Sequence, residues 1–197
     1  MTTVQTFLEQ RLDDYLEEVA SEKPAPGGGS VAALVVAMAA GLVAMAARFS
    51  LDRWSEADEV VERADALRHR VAPLAPADSQ AFEEVLTAMR LPKHLEPEVR
   101  NAAIGHALAR AAEIPLEIAK EAAEVATLGA LVAERGNPNL RGDAAAAAVL
   151  AAGGARIGAH LVVINLGTTE RDERVARARE HDATAAAAAE RALAAGP

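Results

Sequence analysis

Apolar side chains recur every three or four positions along most of this 197-residue chain, which is the pattern of amphipathic α-helices. The pattern is clear near the amino terminus, where Leu8, Leu12, Leu16 and Val19 share one helical face. Further helical segments follow, separated by prolines, glycines and polar turns. The predicted helices cover about residues 7–19, 30–51, 55–71, 76–90, 97–136, 143–166 and 170–195.

Several predicted helix starts depend on one or two polar residues. Thr3 or Thr6 is expected to cap the first helix, and Ser30 is a favoured N-cap for the second. Ser55 and Asp58 resemble a capping box at the start of the third helix.

Prolines divide the middle of the chain. Pro73 and Pro76 predict a break between the third and fourth helices, and Pro115 predicts a kink in the fifth. The last helix is rich in charge, so we expect it to be more solvated than the others. No segment alternates in the manner of a β-strand. We therefore predict an all-α fold, with residues 1–197 forming a single-domain bundle of six or seven helices.

The segment from residue 31 to 47 has no charged side chain and is close to the lower limit of about 17 residues for a membrane span. It is rich in Ala, which has little preference for lipid, so we interpret it as the centre of a bundle or a subunit interface. A helix this apolar needs more cover than a small bundle easily provides. We therefore expect a homodimer that buries this helix or a neighbour, and no membrane.

Composition excludes several classes of function. The net charge is −9 with no Lys/Arg-rich run, which argues against nucleic-acid binding. There is no cysteine, so disulfides and zinc–thiolate sites are excluded, and the five histidines lack metal-ligand spacing. We predict no metal site. Because no secretory signal pattern is seen at the amino terminus, we expect a cytoplasmic protein.

A glycine-rich loop, Pro26-Gly27-Gly28-Gly29-Ser30, precedes the apolar second helix. Glycines let a backbone approach a ligand closely and adopt left-handed angles, and free N–H groups at a helix start bind carboxylate or phosphate. The loop lacks the Lys of a Walker A motif and the preceding strand of a Rossmann motif. A flexible connection with a Ser cap remains the alternative.

Asp78 lies on the same predicted helical face as Phe82, Val85 and Met89. A carboxylate on an apolar stripe faces inward, where its charge is costly unless paired, so we expect its pKa to be perturbed. The alternative is that Asp78 caps a helix near Pro76.

Asp143 begins the 143–166 helix, and by position alone N-capping is its simpler interpretation. Asn165 lies about 33 Å further along that helix, so the two cannot share one site within a subunit, and we interpret Asn165 as a buried hydrogen-bonding residue. Lys93 is one of only three lysines beside 17 arginines, which favours a need for a compact or titratable ammonium there, and a solvated turn residue remains the alternative.

Several motifs together resemble the formiminotransferase-cyclodeaminase C-terminal domain family, in the family's order and over nearly the whole chain. They are Pro24-x-Pro-Gly-Gly-Gly-Ser-Val-Ala-Ala, Asp78-x3-Phe82, Leu91-Pro92-Lys93, Gly136-Asn137-Pro138-Asn139 with Asp143, and Ile164-Asn165-Leu166.

The resemblance implies an all-helical homodimer, without a metal or redox cofactor, that acts on a folate. Known members are cyclodeaminases, which convert 5-formiminotetrahydrofolate to 5,10-methenyltetrahydrofolate and ammonia, and methenyltetrahydrofolate cyclohydrolases. Asp78 and Asp143 become candidate catalytic carboxylates, and Lys93 a proton donor or an anchor for a folate carboxylate. The candidate substrate-binding residues are Pro26, Gly27, Gly28, Gly29, Ser30, Asn137 and Asn139. The formiminotransferase half is expected to be a separate protein.

Two other hypotheses remain open from the sequence. The family scaffold could serve a different amidine or heterocyclic substrate, or it could be a non-catalytic helical partner. The presence together of Asp78, Lys93, Asp143 and the glycine loop argues against the second, because a scaffold alone needs none of them.

Overall fold

Helix is the only regular secondary structure in the computed structural model, which describes residues 7–92, 94–167 and 172–196. The predicted all-α class is confirmed, and seven of the helices contain 15 residues or more. The helices are α1 (Leu12–Val19), α2 (Gly28–Arg48), α3 (Ala57–Val71), α4 (Leu74–Met89), α5 (Pro97–Ala111), α6 (Glu113–Arg135), α7 (Arg141–Leu166) and α8 (Glu173–Ala194), with short 3-10 turns at Phe7–Glu9 and Pro138–Leu140.

Three predicted caps are wrong because the helices begin before or after the polar residue. Gly27 is the N-cap of α2, and Ser30 lies inside the helix with its hydroxyl directed to another helix. The cap of α3 is Glu56, and its side chain makes no capping hydrogen bond. Likewise α7 starts before Asp143, which therefore does not cap it. The predicted caps Thr3 and Thr6 lie outside the described residues.

Pro73, Pro76 and Pro115 lie at or near the starts of helices. α4 begins directly after Pro73, and Pro76 falls within its first turn, where no intrahelical N–H bond is lost. The single helix predicted from 97 to 136 is two helices, α5 and α6, which meet at Ala112. Pro115 therefore occupies the first turn of α6 and produces no kink in a longer helix.

α2 is the central helix of the bundle. Along its length α3, α6 and α7 pack on different sides, and twelve of its 21 residues are buried. Among the described residues α2 and the segment ending with α7 are both long and apolar enough to cross a membrane by length and composition. The window in α2 is 61% buried within the protein, as expected of the centre of a bundle. α8 is less solvated than predicted, since it packs against α6 and α7.

Three glycines lie where α2, α6 and α7 cross at short distance. A Cβ added to Gly154 of α7 would lie 2.3 Å from Val36 Cγ2 of α2. A Cβ on Gly158 would lie 2.6 Å from the carbonyl oxygen of Pro115 in α6, and a Cβ on Gly129 of α6 would lie 3.0 Å from the Ala144 carbonyl oxygen. The nearest neighbour is backbone at Gly158 and Gly129 and a valine side chain at Gly154, so an added methyl would be crowded at all three crossings.

Much of α2 is covered within the chain, and the expected homodimer that buries this helix or a neighbour stays a prediction. Large apolar side chains remain exposed on several elements, including α1 and α2. On α7, Leu150, Ile157 and Ile164 recur at seven-residue intervals and are 42%, 41% and 57% exposed. Gly153 lies on the same face, and a Cβ added there would meet no described atom within 4 Å. We call Leu150, Gly153, Ile157 and Ile164 the α7 stripe.

We predict that Gly158→Ala destabilises the fold by about 1–3 kcal/mol, because the added methyl meets the Pro115 carbonyl oxygen of α6 and overpacks a fixed crossing. Gly105→Ala in α5 is the matched control, since its Cβ would meet nothing within 4 Å. That change should stabilise by up to about 1 kcal/mol through helix propensity. Urea unfolding of both variants measures the difference, and equal effects would contradict the assignment of Gly158 as a contact glycine.

Candidate active site

A cleft of about 200 Å³ opens where the amino end of α2 meets the first half of α4, the start of α6 and the end of α7. Asp78 is the only ionisable side chain among the described residues that line it. These residues are Pro24, Ala25, Gly27, Gly28, Gly29, Asp78, Ser79, Phe82, Ala111, Pro115, Leu161, Ile164 and Asn165. The cleft thus combines one carboxylate, bare glycine backbone and mostly apolar walls.

The glycine loop and Asp78 come together as the sequence motifs suggested. A Cβ on Gly29 would lie 2.2 Å from Oδ1 of Asp78, so only glycine permits this approach. Gly27 and Gly28 face open space, and neither has a left-handed backbone angle. The expected need for left-handed angles was therefore wrong, and close approach is the reason for glycine. Pro26 is buried beside the loop and does not line the cleft.

Asp78 lies in the second turn of α4, which excludes the interpretation that it caps this helix. Its carboxylate faces the amino end of α2, where Ser30 Oγ lies 3.4 Å from Oδ2. The positive end of the α2 dipole favours a carboxylate at this place. Of its predicted neighbours, Phe82 also lines the cleft, whereas Val85 is buried below it.

Buried hydroxyl groups connect α2 to α4 behind the carboxylate. Ser30 Oγ lies 2.7 Å from the carbonyl oxygen of Ala75 and 2.9 Å from Ser79 Oγ. Ser30 is fully buried and Ser79 nearly so. These contacts fix the position of the first turn of α2 relative to the turn of α4 that carries Asp78. Sequence reasoning missed Ser79, because a serine one residue from the candidate carboxylate carries no signal of its own.

Burial raises the pKa of the Asp78 carboxyl above its ordinary value. The Ser30 backbone N–H and hydroxyl oppose the increase by favouring the charged form, but desolvation is the larger effect. This confirms the sequence-based expectation of a perturbed pKa. A carboxylate with a raised pKa and apolar neighbours can exchange a proton with a ligand more readily than a surface aspartate.

Asn165 lies at the far wall of the cleft. Its Nδ2 donates a hydrogen bond of 3.1 Å to the carbonyl oxygen of Ala111 at the end of α5. The interpretation of Asn165 as a buried hydrogen-bonding residue is right about the hydrogen bond, but the side chain is half-buried and borders the cleft.

The second group of predicted site residues lies at the other end of the bundle. Asn137 donates from Nδ2 to the carbonyl oxygen of Phe49, which caps the carboxyl end of α2, and accepts from the Asn139 N–H. α2 has 21 residues, so this end lies about 30 Å from the glycine loop. Asp143, in the first turn of α7, is also at this end. Within one chain the structure does not bring Asn137, Asn139 or Asp143 to Asp78.

Lys93 lies outside the described residues, so its predicted role stays a prediction. In the parts of the chain that the structure describes, no three His, Asp or Glu side chains are grouped in a way that could hold a metal ion.

Comparison with known proteins agrees with this arrangement. The profile of the formiminotransferase-cyclodeaminase family matches residues 11–185, which includes both groups of motifs. The chain belongs to this family. Its cyclodeaminase-type fold is also that of a solved family member, the formiminotetrahydrofolate cyclodeaminase of Thermotoga maritima. The two structures superpose with a TM-score of 0.84 at 28% identity, over 95% of this chain and 96% of the other.

Two sequence relatives within the formiminotransferase-cyclodeaminase family have different names. The methenyltetrahydrofolate cyclohydrolase of Methylorubrum extorquens is 35% identical over 164 residues, which is 79% of this chain and 79% of the relative. The formimidoyltransferase-cyclodeaminase of Sus scrofa is 33% identical over 190 residues, which is 89% of this chain but 34% of the larger relative.

We predict that Asp78→Asn changes stability in a pH-dependent way. The folded-state pKa of Asp78 is raised, so its contribution to stability is present below the unfolded-state pKa, near pH 4, and is lost as pH rises through the folded-state value. The variant should therefore match wild type at low pH and be the more stable protein near neutrality. Denaturant unfolding over this pH range measures the difference, with Asp52→Asn in an exposed turn as the charge-matched control. A gap that grows on acidification would contradict the assignment.

Proposed function

We propose that this protein is a folate one-carbon enzyme that acts on the group held between N5 and N10 of tetrahydrofolate, as a cyclodeaminase or a cyclohydrolase. The observation that carries the proposal is the lone Asp78 carboxylate against the bare amino end of α2, in a mostly apolar cleft. The names of the relatives supply the substrate class.

Both reactions pass through a tetrahedral carbon between N5 and N10, and one carboxylate serves either. In the cyclodeaminase direction N10 attacks the formimino carbon, Asp78 accepts the N10 proton, and the proton passes to the amino group, which leaves as ammonia. In the cyclohydrolase direction water attacks the cationic methenyl carbon and Asp78 accepts the water proton; the proton then passes to N5 as the carbon–N5 bond breaks, which leaves the formyl group on N10. The low dielectric set by Phe82, Leu161 and Ile164 strengthens the attraction between the carboxylate and a cationic one-carbon unit.

The open backbone at Gly27 and Gly28 supports a binding role for the loop. With no side chain in the way, N–H groups at the start of α2 can reach polar edges of a ligand. We propose that these groups and the Asn165 amide orient the reacting ring system. We propose that no metal or redox cofactor takes part. The cytoplasmic location stays a prediction.

We also propose a homodimer formed through the α7 stripe. Its apolar residues are exposed along one face, and Gly153 near the middle of α7 lets a second helix approach closely. Two copies related by a twofold axis would pair α7 antiparallel, since the parallel alternative places like charges and like dipole ends together. With the axis near Gly153, Asp143 lies ten residues before the axis. It therefore faces position 163 of the other subunit, which lies ten residues after the axis.

This pairing would bring the two separated groups of motif residues together. Ile164 lines the Asp78 cleft, so the partner subunit's Asp143 would lie near the mouth of that cleft. We therefore propose that Asp143, and with it the turn containing Asn137 and Asn139, contributes to the site of the other subunit.

We predict that wild-type protein turns over 5-formiminotetrahydrofolate or 5,10-methenyltetrahydrofolate, and that Asp78→Asn lowers the rate by about 10²–10⁴-fold because the proton acceptor is lost. Methenyltetrahydrofolate is followed by its near-ultraviolet absorbance, and ammonia release distinguishes the two reactions.

Two outcomes of this assay would contradict the proposal. Folded wild-type protein without activity on either folate would favour another amidine substrate or a non-catalytic role. Wild-type turnover by Asp78→Asn would remove Asp78 from the mechanism. Both proteins are dialysed against a chelator first, and activity that is lost and then restored by zinc or magnesium would show a metal requirement.

We predict that Ile157→Asp dissociates the dimer, because it places a charge in the middle of the α7 stripe. Sedimentation velocity at micromolar concentration measures the change. Leu193→Asp on α8, at a side chain that is 66% exposed and outside the stripe, should leave the dimer intact. A monomeric wild type would contradict the proposed pairing.

A complementation experiment tests whether Asp78 of one subunit and Asp143 of the other form one site. Asp78→Asn and Asp143→Asn subunits, each inactive alone, are co-expressed. If the sites are shared, about a quarter of wild-type activity returns, because half of the dimers are mixed and each mixed dimer has one intact site. If each site lies within one chain, mixing restores nothing.

A further inference from the structure

Two buried polar atoms at the amino end of the structure have no hydrogen-bond partner among the described residues. They are the Tyr15 hydroxyl and Oε1 of Gln10. Tyr15 is only 6% exposed, and the amide nitrogen of Gln10 is already used in a 3.4 Å hydrogen bond to Glu18. Buried polar atoms in native proteins are nearly always paired, so two unpaired atoms near each other indicate a ligand that completes them.

Both residues line one groove of about 540 Å³ between α1, the middle of α2 and the end of α3. Its walls are apolar and include Leu34, Met38 and Phe7, whose ring packs on Tyr15 with centroids 5.2 Å apart. We call this the α1 groove. It is more than twice as large as the Asp78 cleft.

Arg68 and His69 make one part of the α1 groove polar. The Arg68 side chain lies across α2, with Cδ 3.9 Å from the place of a Cβ on Gly41, and His69 lines the groove beside it. Arg68 has one ion pair, a 3.5 Å contact with Asp65, so its guanidinium retains free donors.

The α1 groove lies near the Asp78 cleft, although the two share no lining residue. Burial first, and then the nearby Asp78 and Glu18 charges, raise the pKa of the Tyr15 hydroxyl, which therefore remains protonated and is a donor. Pro73, in the groove wall, is followed at once by α4, which carries Asp78 in its second turn. A ligand too long for the cleft can thus continue into the groove.

We propose that the α1 groove binds the benzoylglutamate part of the folate whose one-carbon unit lies at Asp78. This inference rests on the proposed function. A cleft of about 200 Å³ is smaller than a site for a whole drug-sized ligand, so part of a folate would extend beyond it. The aromatic ring packs between the apolar walls. The amide carbonyl accepts from Tyr15, the amide N–H donates to Gln10, and a carboxylate meets Arg68.

A folate tail explains the groove better than a second subunit does. An apolar helix from another copy would cover the walls but leave the Tyr15 hydroxyl and the Gln10 oxygen buried and unpaired. A ligand with an adjacent amide carbonyl and N–H satisfies one donor and one acceptor together.

The direct test is binding of p-aminobenzoylglutamate alone, followed by nuclear magnetic resonance titration of the full-length protein. We expect saturable binding that Arg68→Gln weakens about tenfold or more and that Tyr15→Phe weakens several-fold. Arg63→Gln, on the same helix but outside the groove, and Asp78→Asn should bind the fragment as wild type does. Thermal melting confirms that each variant is folded.

Kinetics separate this inference from the proposed function. With a full folate substrate, Arg68→Gln should raise KM about tenfold and leave kcat near wild type, and with a substrate lacking the glutamate both constants should be unchanged. Fragment binding without any folate turnover would support the groove and reject the proposed reaction. Folate turnover with no fragment binding and no change in KM would overturn the groove assignment and leave the reaction standing.

Discussion

The contact between the amino end of α2 and Asp78 of α4 is the interaction on which the rest of the site depends. Gly29 has no Cβ, so the carboxylate can lie against the helix backbone where a methyl group would overlap it. The serine hydroxyls behind the contact keep the two helices at this separation. The result is a charge that is stabilised by a helix end and destabilised by loss of water, and the second effect is the larger, so the pKa of Asp78 is raised.

Small residues extend the same constraint through the molecule. Ala and Gly at the crossings of α2, α6 and α7 bring helix axes close together, so few large side chains are needed to fill the core. The cost is that a single added methyl cannot be absorbed by rotamer changes where its neighbour is backbone, as at Gly158. A scaffold of this kind holds the walls of a cleft rigidly, which suits a reaction that depends on orientation.

Much of this structure could be predicted from periodicity and composition. The helices, the buried α2 and the inward Asp78 follow from the spacing of apolar residues. The caps could not be predicted, because the start of α2 is set by the tertiary contact with α4, which redirects the Ser30 hydroxyl. Local rules for Ser and Asp therefore gave the wrong helix starts.

The site was predicted only in part, for a geometric reason. The motifs that the chain shares with its family lie at opposite ends of α2 and α7, and no local sequence pattern reveals which of them meet in the fold. The sequence pattern does not single out Tyr15, because an aromatic residue on an amphipathic helix normally belongs to the hydrophobic core. The structure distinguishes it only through its unpaired hydroxyl.

The single carboxylate of the cleft has a further thermodynamic consequence. A cation bound at Asp78 and a proton on Asp78 compete for the same negative charge, and the two equilibria are linked reciprocally. A cation that binds there, as proposed, would therefore release the proton of Asp78, and the carboxylate would in turn raise the pKa of a bound amidine. The carboxyl group and such a ligand would then titrate as a coupled pair, and the affinity of the ligand would depend on pH.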